Sequence, residues 1–280
     1  MAIETREEIA KKGEIGDGVL FYEEKIDGFL CSEIEITNET GEKTTGRSIG
    51  KYITIEFGRL WLKEYSEFVI AVDLIAEKIK ALAGDENEKI LIAGLGNGYI
   101  TADSIGPRVL PKILITRHLK QQLPGLYENL GFVEMSGIAP GVLAQTGMET
   151  AEIILSVTEE IKPSLVIIID AFASRKISRL ATTVQLSNTG IAPGSGVGNH
   201  RQAIDSKLLG TKVLSIGVPI VVVLHNIFYK TYAFNVFINI KSNFNRYFFS
   251  LQSYFAYNSS YHLPFNFGCC LFKKTFPIIQ

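Results

Sequence analysis

Cysteine and histidine are scarce in this chain of 280 residues. It has three cysteines, Cys31, Cys269 and Cys270, and four histidines. One isolated cysteine and one adjacent pair fit neither a disulfide framework nor a tetrahedral zinc site, and no H-E-x-x-H motif occurs. The scarcity argues against a disulfide-stabilised secreted domain and a zinc protease of the usual kind, and it favours a reducing, cytoplasmic setting.

Strong net charge and long apolar runs are also missing. The net charge is −1, which predicts no strong attraction to nucleic acid or to an anionic membrane. The N-terminal segment MAIETREEIAKKGE is polar and of mixed charge, unlike a signal peptide. Because no uninterrupted run of 18 apolar residues occurs, we expect no membrane helix and no membrane partner.

Acidic residues are absent from the last 56 residues. From His225 onward there is no Asp or Glu, although the chain has 29, and this stretch holds 11 of the 17 Phe. Its apolar residues follow neither the period of a strand nor that of a helix. We interpret residues 225–280 as an aberrant tail translated out of frame. A genuine aromatic edge or membrane-surface segment is the alternative.

Residues 1–224 carry the pattern of one α/β domain, with a strand-rich region over residues 1–60. Two segments have helical spacing, LWLKEYSEFVIAVDLIAEKIKAL and TGMETAEIILSVTEEI, and Thr146 is the predicted cap of the second. Three apolar runs have strand length, EKILIAGLG, SLVIIIDAFAS and TKVLSIGVPIVVV, and LITRHL is a candidate short strand. The alternation predicts a three-layer fold, a mostly parallel sheet with helices on both faces.

The stretch GLGNGYITADSIGP, residues 94–107, looks like a phosphate-binding loop but lacks the residues that define one. A dinucleotide fingerprint needs a third glycine where Tyr99 stands, and a P-loop needs a lysine that is absent. A tight turn that leaves a buried strand explains the glycines equally well. A nucleotide cofactor is therefore disfavoured.

Two aspartates follow the carboxyl ends of predicted strands, Asp103 in the glycine-rich loop and Asp170 at the end of LVIIID. Ligands of open α/β sheets collect at that rim, so we expect both carboxylates there. Close carboxylates do not both ionise easily, which lets one activate a water and the other donate a proton. Two structural alternatives stay open, namely Asp103 as a helix cap and Asp170 as a cap for a neighbouring loop.

Four further residues are weaker candidates for contact with a substrate. Asn97 follows the second glycine of the loop, Arg117 and His118 are adjacent in TRHL, and Ser195 lies in the glycine-rich stretch TGIAPGSGVGNHR. No G-x-S-x-G motif supports Ser195 as a nucleophile. Solvated surface positions explain Arg117 and His118 more simply.

Five segments of the chain, in their order, resemble the germination proteases of spore-forming bacteria. They are GLGNGYITADSIGP, ITRHL, IAPGVLAQTGMETAEII, LVIIIDAFASR and TTVQLSNTGIAPGSGVGNHR. The resemblance runs from about residue 2 to about residue 223. The glycine-rich loop is similar, more distantly, to that of hydrogenase maturation endopeptidases, which share the α/β architecture.

The resemblance implies an endopeptidase that degrades small acid-soluble spore proteins at germination, in the spore core. The two essential aspartates of the family match Asp103 and Asp170 in this sequence. It also implies a homotetramer made as a zymogen. No cofactor is expected; a bound metal stays open, although the sequence offers no evident ligand cluster.

Two departures from the family pattern bear on activity. The chain starts within a segment that the family precedes with a propeptide, and after GVPIVV the aromatic tail replaces a helical C-terminal part. The alternative to a working protease is therefore an inactive truncated or frameshifted product, or a non-catalytic α/β binding module.

Overall fold

A computed structural model of the chain describes residues 1–11, 17–84, 87–194 and 201–222. The tail predicted over residues 225–280 lies outside the described residues. The helices are α1 (Ala2–Lys11), α2 (Glu39–Thr45), α3 (Tyr65–Ala83), α4 (Ile105–Val109), α5 (Arg117–Gln122), α6 (Pro124–Leu130), α7 (Leu143–Thr146), α8 (Thr150–Ile161) and α9 (Ser206–Leu209). The strands are β1 (Val19–Ile26), β2 (Phe29–Ile36), β3 (Gly50–Glu56), β4 (Lys89–Gly94), β5 (Glu134–Ile138), β6 (Leu165–Ser174), β7 (Thr183–Ser187) and β8 (Lys212–Val222).

The eight strands form one mixed sheet in the order β1-β2-β3-β7-β8-β6-β4-β5. Strands β8, β6, β4 and β5 are parallel to one another, whereas β1, β2, β3 and β7 pair in antiparallel fashion and β7 joins β8 in the same way. The predicted strand-rich N-terminal region supplies the first three strands of the antiparallel half. The apolar runs supply β4, β6 and β8 of the parallel half.

Helices cover both faces of the parallel half, which explains its unbroken apolar strands. Ile90 and Ile92 of β4 pack in the same buried cluster as Ile75 and Ile79 of α3. The alternate residues of β4 face the other layer, where Leu91 packs with α8. The predicted three-layer α/β class is therefore confirmed.

Two local predictions are wrong. The segment LITRHL forms no strand, because the chain turns at Thr116 into α5; the neighbour of β4 on that side is β5. Thr146 does not cap α8. It ends α7 before Gly147, whose φ of +72° breaks the helix, and Glu149 is the N-cap of α8.

The helix α1 packs on the antiparallel half of the sheet. Ile3 lies in a small buried cluster with Ile34, Ile36 and Tyr52 of β2 and β3. Among the described residues, no helix is both long and apolar enough to cross a membrane.

Candidate active site

The loop after β4 folds back so that Asp103 lies beside the loop's first residues. The Leu95 N–H still donates to the Ile169 carbonyl of β6 at 2.8 Å, so β4 and β6 stay paired up to the loop. The chain then turns and enters a short 3-10 helix at Thr101–Asp103. There the Asn97 N–H donates to Oδ2 of Asp103 at 2.8 Å. The loop thus fixes the orientation of the carboxylate through its own backbone.

Glycine is required in this turn because the backbone of the loop passes very close to Asp103. Gly96 has a φ of +110°, and a Cβ built on it would lie 2.0 Å from the Asp103 carbonyl oxygen. A Cβ on Gly94 would lie 2.4 Å from the Gly106 carbonyl oxygen, so the first turn of α4 rests directly on the end of β4. These glycines serve the close packing of the turn.

Asp170 lies inside the sheet, near the carboxyl end of β6. Its exposed fraction is 7%, and its register partner on β8 is Gly217. On the other side of β6, the last residue of β4, Gly94, pairs with Ile169. The loop that leads to Asp103 therefore starts next to Asp170. The Ala171 N–H donates to Oδ1 of Asp170 at 2.8 Å.

Asp103 and Asp170 line one cavity of about 620 Å³. Its lining comes from the ends of β4 and β6, from β7 and β8, and from the segments before β3 and α9. Its polar members include Arg47, Tyr52, Gln185, Ser187, Arg201, Asp205 and Ser215. The cavity therefore brings together the two carboxylates that the sequence had placed on one rim.

The two carboxyl groups differ in their affinity for a proton. Burial raises the pKa of Asp170 to about 7; the Ala171 N–H opposes this shift, and the negative charge of Asp103 adds to it. Burial also raises the pKa of Asp103, but the Asn97 N–H and the positive charge of Arg201 both oppose that rise. Of the two carboxyl groups, Asp170 is therefore the one that holds a proton more readily near neutral pH.

Asn97 shapes the loop as well as contacting Asp103. Its side-chain oxygen accepts hydrogen bonds from the Tyr99 N–H at 2.9 Å and from Nε2 of Gln145 at 3.0 Å. The second bond ties the loop after β4 to α7. Its amide oxygen is therefore already engaged with the protein's own groups.

Asn97 is not among the residues that line the cavity, and the other weak candidates do not join this site either. Arg117 and His118 begin α5 and are not among the residues that line the cavity. Arg117 Nε lies 3.7 Å from Oε1 of Glu134 on β5, an ion pair that explains the residue structurally. Ser195 lies outside the described residues.

Sequence reasoning missed several residues of the cavity. Phe172 could have been found, because it lies two residues beyond Asp170 and therefore on the same face of β6. Gln185 lies on β7, a five-residue strand whose place beside β8 no local pattern reveals. Arg47 follows α2, in a segment that its sequence marks only as turn-rich.

Arg47 brings a positive charge to the cavity end nearest α1. Its Nε donates to Oγ1 of Thr5 at 3.2 Å, and its guanidinium carbon lies 5.9 Å from the centre of the Tyr52 ring. Burial lowers the pKa of Arg47. In the part of the chain that the structure describes, no cluster of three or more His, Cys, Asp or Glu side chains is arranged to hold a metal ion.

A comparison with protein families finds one whose sequence model matches the described part of the chain. The sequence model of the family Peptidase_A25, described as germination protease, matches residues 1–241. The chain belongs to the germination protease family. The match covers the stretches from GLGNGYITADSIGP to GVPIVV, and it confirms the family that those motifs resembled.

Curated germination proteases share much of this sequence. The protein from Caldanaerobacter subterraneus subsp. tengcongensis is 45% identical over 223 residues, which are 79% of this chain and 68% of that protein. The protein from Clostridium tetani is 42% identical over 226 residues, or 79% of this chain and 69% of that one. The chain spans about two thirds of the length of these germination proteases.

Among solved structures, the chain is similar to the [NiFe] hydrogenase maturation protease HycI from Thermococcus kodakarensis. The identity is 17% and the TM-score is 0.34, with 51% of this chain and 80% of the other chain covered.

Proposed function

We propose that this germination-protease-family chain is an endopeptidase that starts the degradation of small acid-soluble, DNA-binding spore proteins when a spore germinates. The peptide-cleaving part of the proposal is carried by one observation: Asp103 and Asp170, whose carboxyl groups differ in affinity for a proton, line the same cavity. The spore-protein substrate rests on the family alone. The relatives that are named germination proteases support it.

Because the two carboxyl groups differ in affinity for a proton, we assign them different roles in peptide-bond hydrolysis. Ionised Asp103 takes a proton from a water molecule whose oxygen attacks the scissile carbonyl carbon. Protonated Asp170 gives its proton to the leaving amide nitrogen as the C–N bond breaks. After these steps Asp103 carries the proton from the water and Asp170 is ionised. Transfer of that proton from Asp103 to Asp170 restores the pair for the next cycle.

Family resemblance alone carries the remaining parts of the proposal. On that basis we propose a homotetramer, maturation from a zymogen, action in the spore core, and contact with DNA only through the substrate. A non-catalytic α/β binding module is the competing proposal.

Purified chain incubated with a small acid-soluble spore protein tests the proposal, with the fragments identified by mass spectrometry. We predict cleavage by the wild-type chain and a fall of at least about 100-fold in kcat for Asp103→Asn and for Asp170→Asn. Asp27→Asn, in the exposed turn between β1 and β2 and outside the cavity lining, is the matched control and keeps full activity.

Circular dichroism establishes that each variant is folded. Equal cleavage by wild type and Asp103→Asn would remove the paired-aspartate mechanism. Binding of the spore protein without cleavage by the folded wild-type chain would favour the binding module instead.

A further inference from the structure

Gly217 leaves a space in the middle of β8, and Phe172 fills it. A glycine inside a strand weakens the strand and often marks a close approach by another group. A Cβ built on Gly217 would lie 2.1 Å from Cε2 and 2.2 Å from Cδ2 of Phe172. The Phe172 ring therefore occupies the place of the side chain that β8 lacks there.

That place lies next to the Asp170 side chain. Gly217 is the register partner of Asp170, and paired residues on neighbouring strands direct their side chains to the same face, with Cβ atoms about 5 Å apart. Phe172 is two residues beyond Asp170 on that face, and both line the cavity. On the far side of Gly217, its partner on β7 is Gln185. The ring thus lies next to Asp170 on the side of β8.

We propose that Phe172 is a positioning residue that acts through Asp170: its ring, seated over Gly217, excludes water from one side of the carboxyl group and favours the protonated form. The inference rests on the proposed function, because it explains how one member of the pair becomes the proton donor. Burial is the main cause of the raised pKa of Asp170, and an aromatic ring buries a carboxyl group without offering it a strong hydrogen-bond donor.

Other titratable and charged groups share the cavity with Asp170 and influence its protonation. They are Asp103 on the loop after β4, Arg201 and Asp205 before α9, Arg47 and Tyr52 at α2 and β3, and the amino group of Met1. A substitution at Phe172 keeps all of these groups. A change in the titration of Asp170 therefore reports the loss of the ring.

A carbon-13 NMR titration of the Asp170 carboxyl group in the full chain tests the inference without any need for cleavage. The signal is assigned by its loss in Asp170→Asn. In Phe172→Ala we expect the pKa of Asp170 to fall by at least about one unit, a tenfold increase in acid strength. Phe172→Leu keeps part of the apolar cover, so the pKa of Asp170 falls less in this variant. The alkaline limb of kcat/KM moves to lower pH by the same amount.

Phe132→Ala is the matched control, because Phe132 is a half-buried phenylalanine outside the cavity lining and leaves Asp170 unchanged. If Phe172→Ala does not fold, Phe172→Leu and Gly217→Ala decide with the same readout, since the added methyl group of Gly217→Ala must displace the ring. An Asp170 pKa that stays at the wild-type value in the folded variants overturns the inference. Wild-type chain that titrates as expected but cleaves no peptide defeats the proposed function alone.

Discussion

At the scale of single residues, two identical side chains acquire different chemistry from their surroundings. Asp170 lies within a buried strand, where burial dominates and favours the neutral acid. At Asp103, beside the loop after β4, burial also raises the pKa, but a backbone N–H and the charge of Arg201 oppose that rise. The difference arises from position in the fold, so the sequence could nominate both residues but could not assign their roles.

The tight turn around Gly96 gives the first prediction at this scale. In Gly96→Ala, the new Cβ must meet the Asp103 carbonyl at 2.0 Å in a backbone conformation with positive φ, so the turn has to open. We expect kcat/KM to fall by about 100-fold because Asp103 is displaced. Steady-state kinetics on a spore-protein substrate measures the effect.

Gly98→Ala is the control in the same loop. A Cβ on Gly98 would lie 3.6 Å from Cβ of Pro107, an ordinary contact, so activity stays near the wild-type value. Similar losses in both variants would mean that the loop tolerates no substitution at all, and the specific role of Gly96 would fail.

At the residue scale, the sequence nominates a site from residue type and strand position, and the catalytic roles of Asp103 and Asp170 stay a prediction. Asp103 and Asp170 were nominated because each follows an apolar strand. The spacing of two residues puts Phe172 on the same face of β6 as Asp170, but a phenylalanine and a glycine in apolar strands are ordinarily explained by packing, so neither Phe172 nor Gly217 was nominated. Only the register between β6 and β8 shows that the ring lies over the glycine.

At the scale of elements, α1 is attached to the sheet through a buried ion cluster. Nη2 of Arg179, whose exposed fraction is 6%, lies 2.8 Å from Oε1 of Glu7 on α1 and 3.0 Å from Oε1 of Glu56 on β3. Glu4 of the same helix accepts a hydrogen bond from Oγ of Ser174, the last residue of β6, at 2.6 Å. The helix is thus tied to the strand that carries Asp170.

Removal of the Arg179 charge is predicted to loosen α1. In Arg179→Met, the half-buried carboxylates of Glu7 and Glu56 and the buried carboxylate of Glu4 lose this partner. We expect the free energy of unfolding to fall by about 2–3 kcal/mol. Urea unfolding measures it. Lys43→Met is the control, because the ion pair between Lys43 and Glu39 is exposed and its loss should not be measurable. Equal stability of wild type and Arg179→Met would contradict the account.

The same cluster predicts the direction of the pH effect. Burial alone would raise the pKa of Glu7, but hydrogen bonds from Arg179 and Lys176 outweigh burial and lower it. A carboxyl group whose pKa is lowered by folding stabilises the fold at pH values above its pKa in the unfolded chain, 4.5. This stabilisation is lost as the pH falls below that value, so α1 should loosen in acid.

Helices and strands with a long, strong hydrophobic pattern were predictable from the sequence, whereas short ones were not. The long run of α3 and the unbroken apolar strands β4, β6 and β8 were predictable because burial on both faces leaves a strong signal. The helix α2 and the strand β7 are short, with seven and five residues, and are stabilised mainly by their neighbours. The failure at LITRHL has the same origin, since tertiary contacts at Thr116 decide between strand and helix.

At the scale of the whole molecule, the cavity exists because two kinds of sheet meet in one layer. The parallel half provides Asp103 and Asp170 at its carboxyl rim, and the antiparallel strand β7 provides Gln185 and Ser187. Residues from Met1 to Val221 line the same space, so the site requires almost the entire described domain. The prediction that residues 1–224 form one α/β domain stays a prediction.

The central claim is that Asp103 works as the ionised base and Asp170 as the protonated acid. The most direct measurement is the dependence of kcat/KM on pH, from about pH 4 to about pH 9, for cleavage of a small acid-soluble spore protein. The account predicts a bell whose alkaline limb lies near pH 7, the pKa of Asp170, and the loss of that limb in the residual activity of Asp170→Asn. A rate that stays level from pH 7 upward, or an alkaline limb that survives in Asp170→Asn, would contradict it.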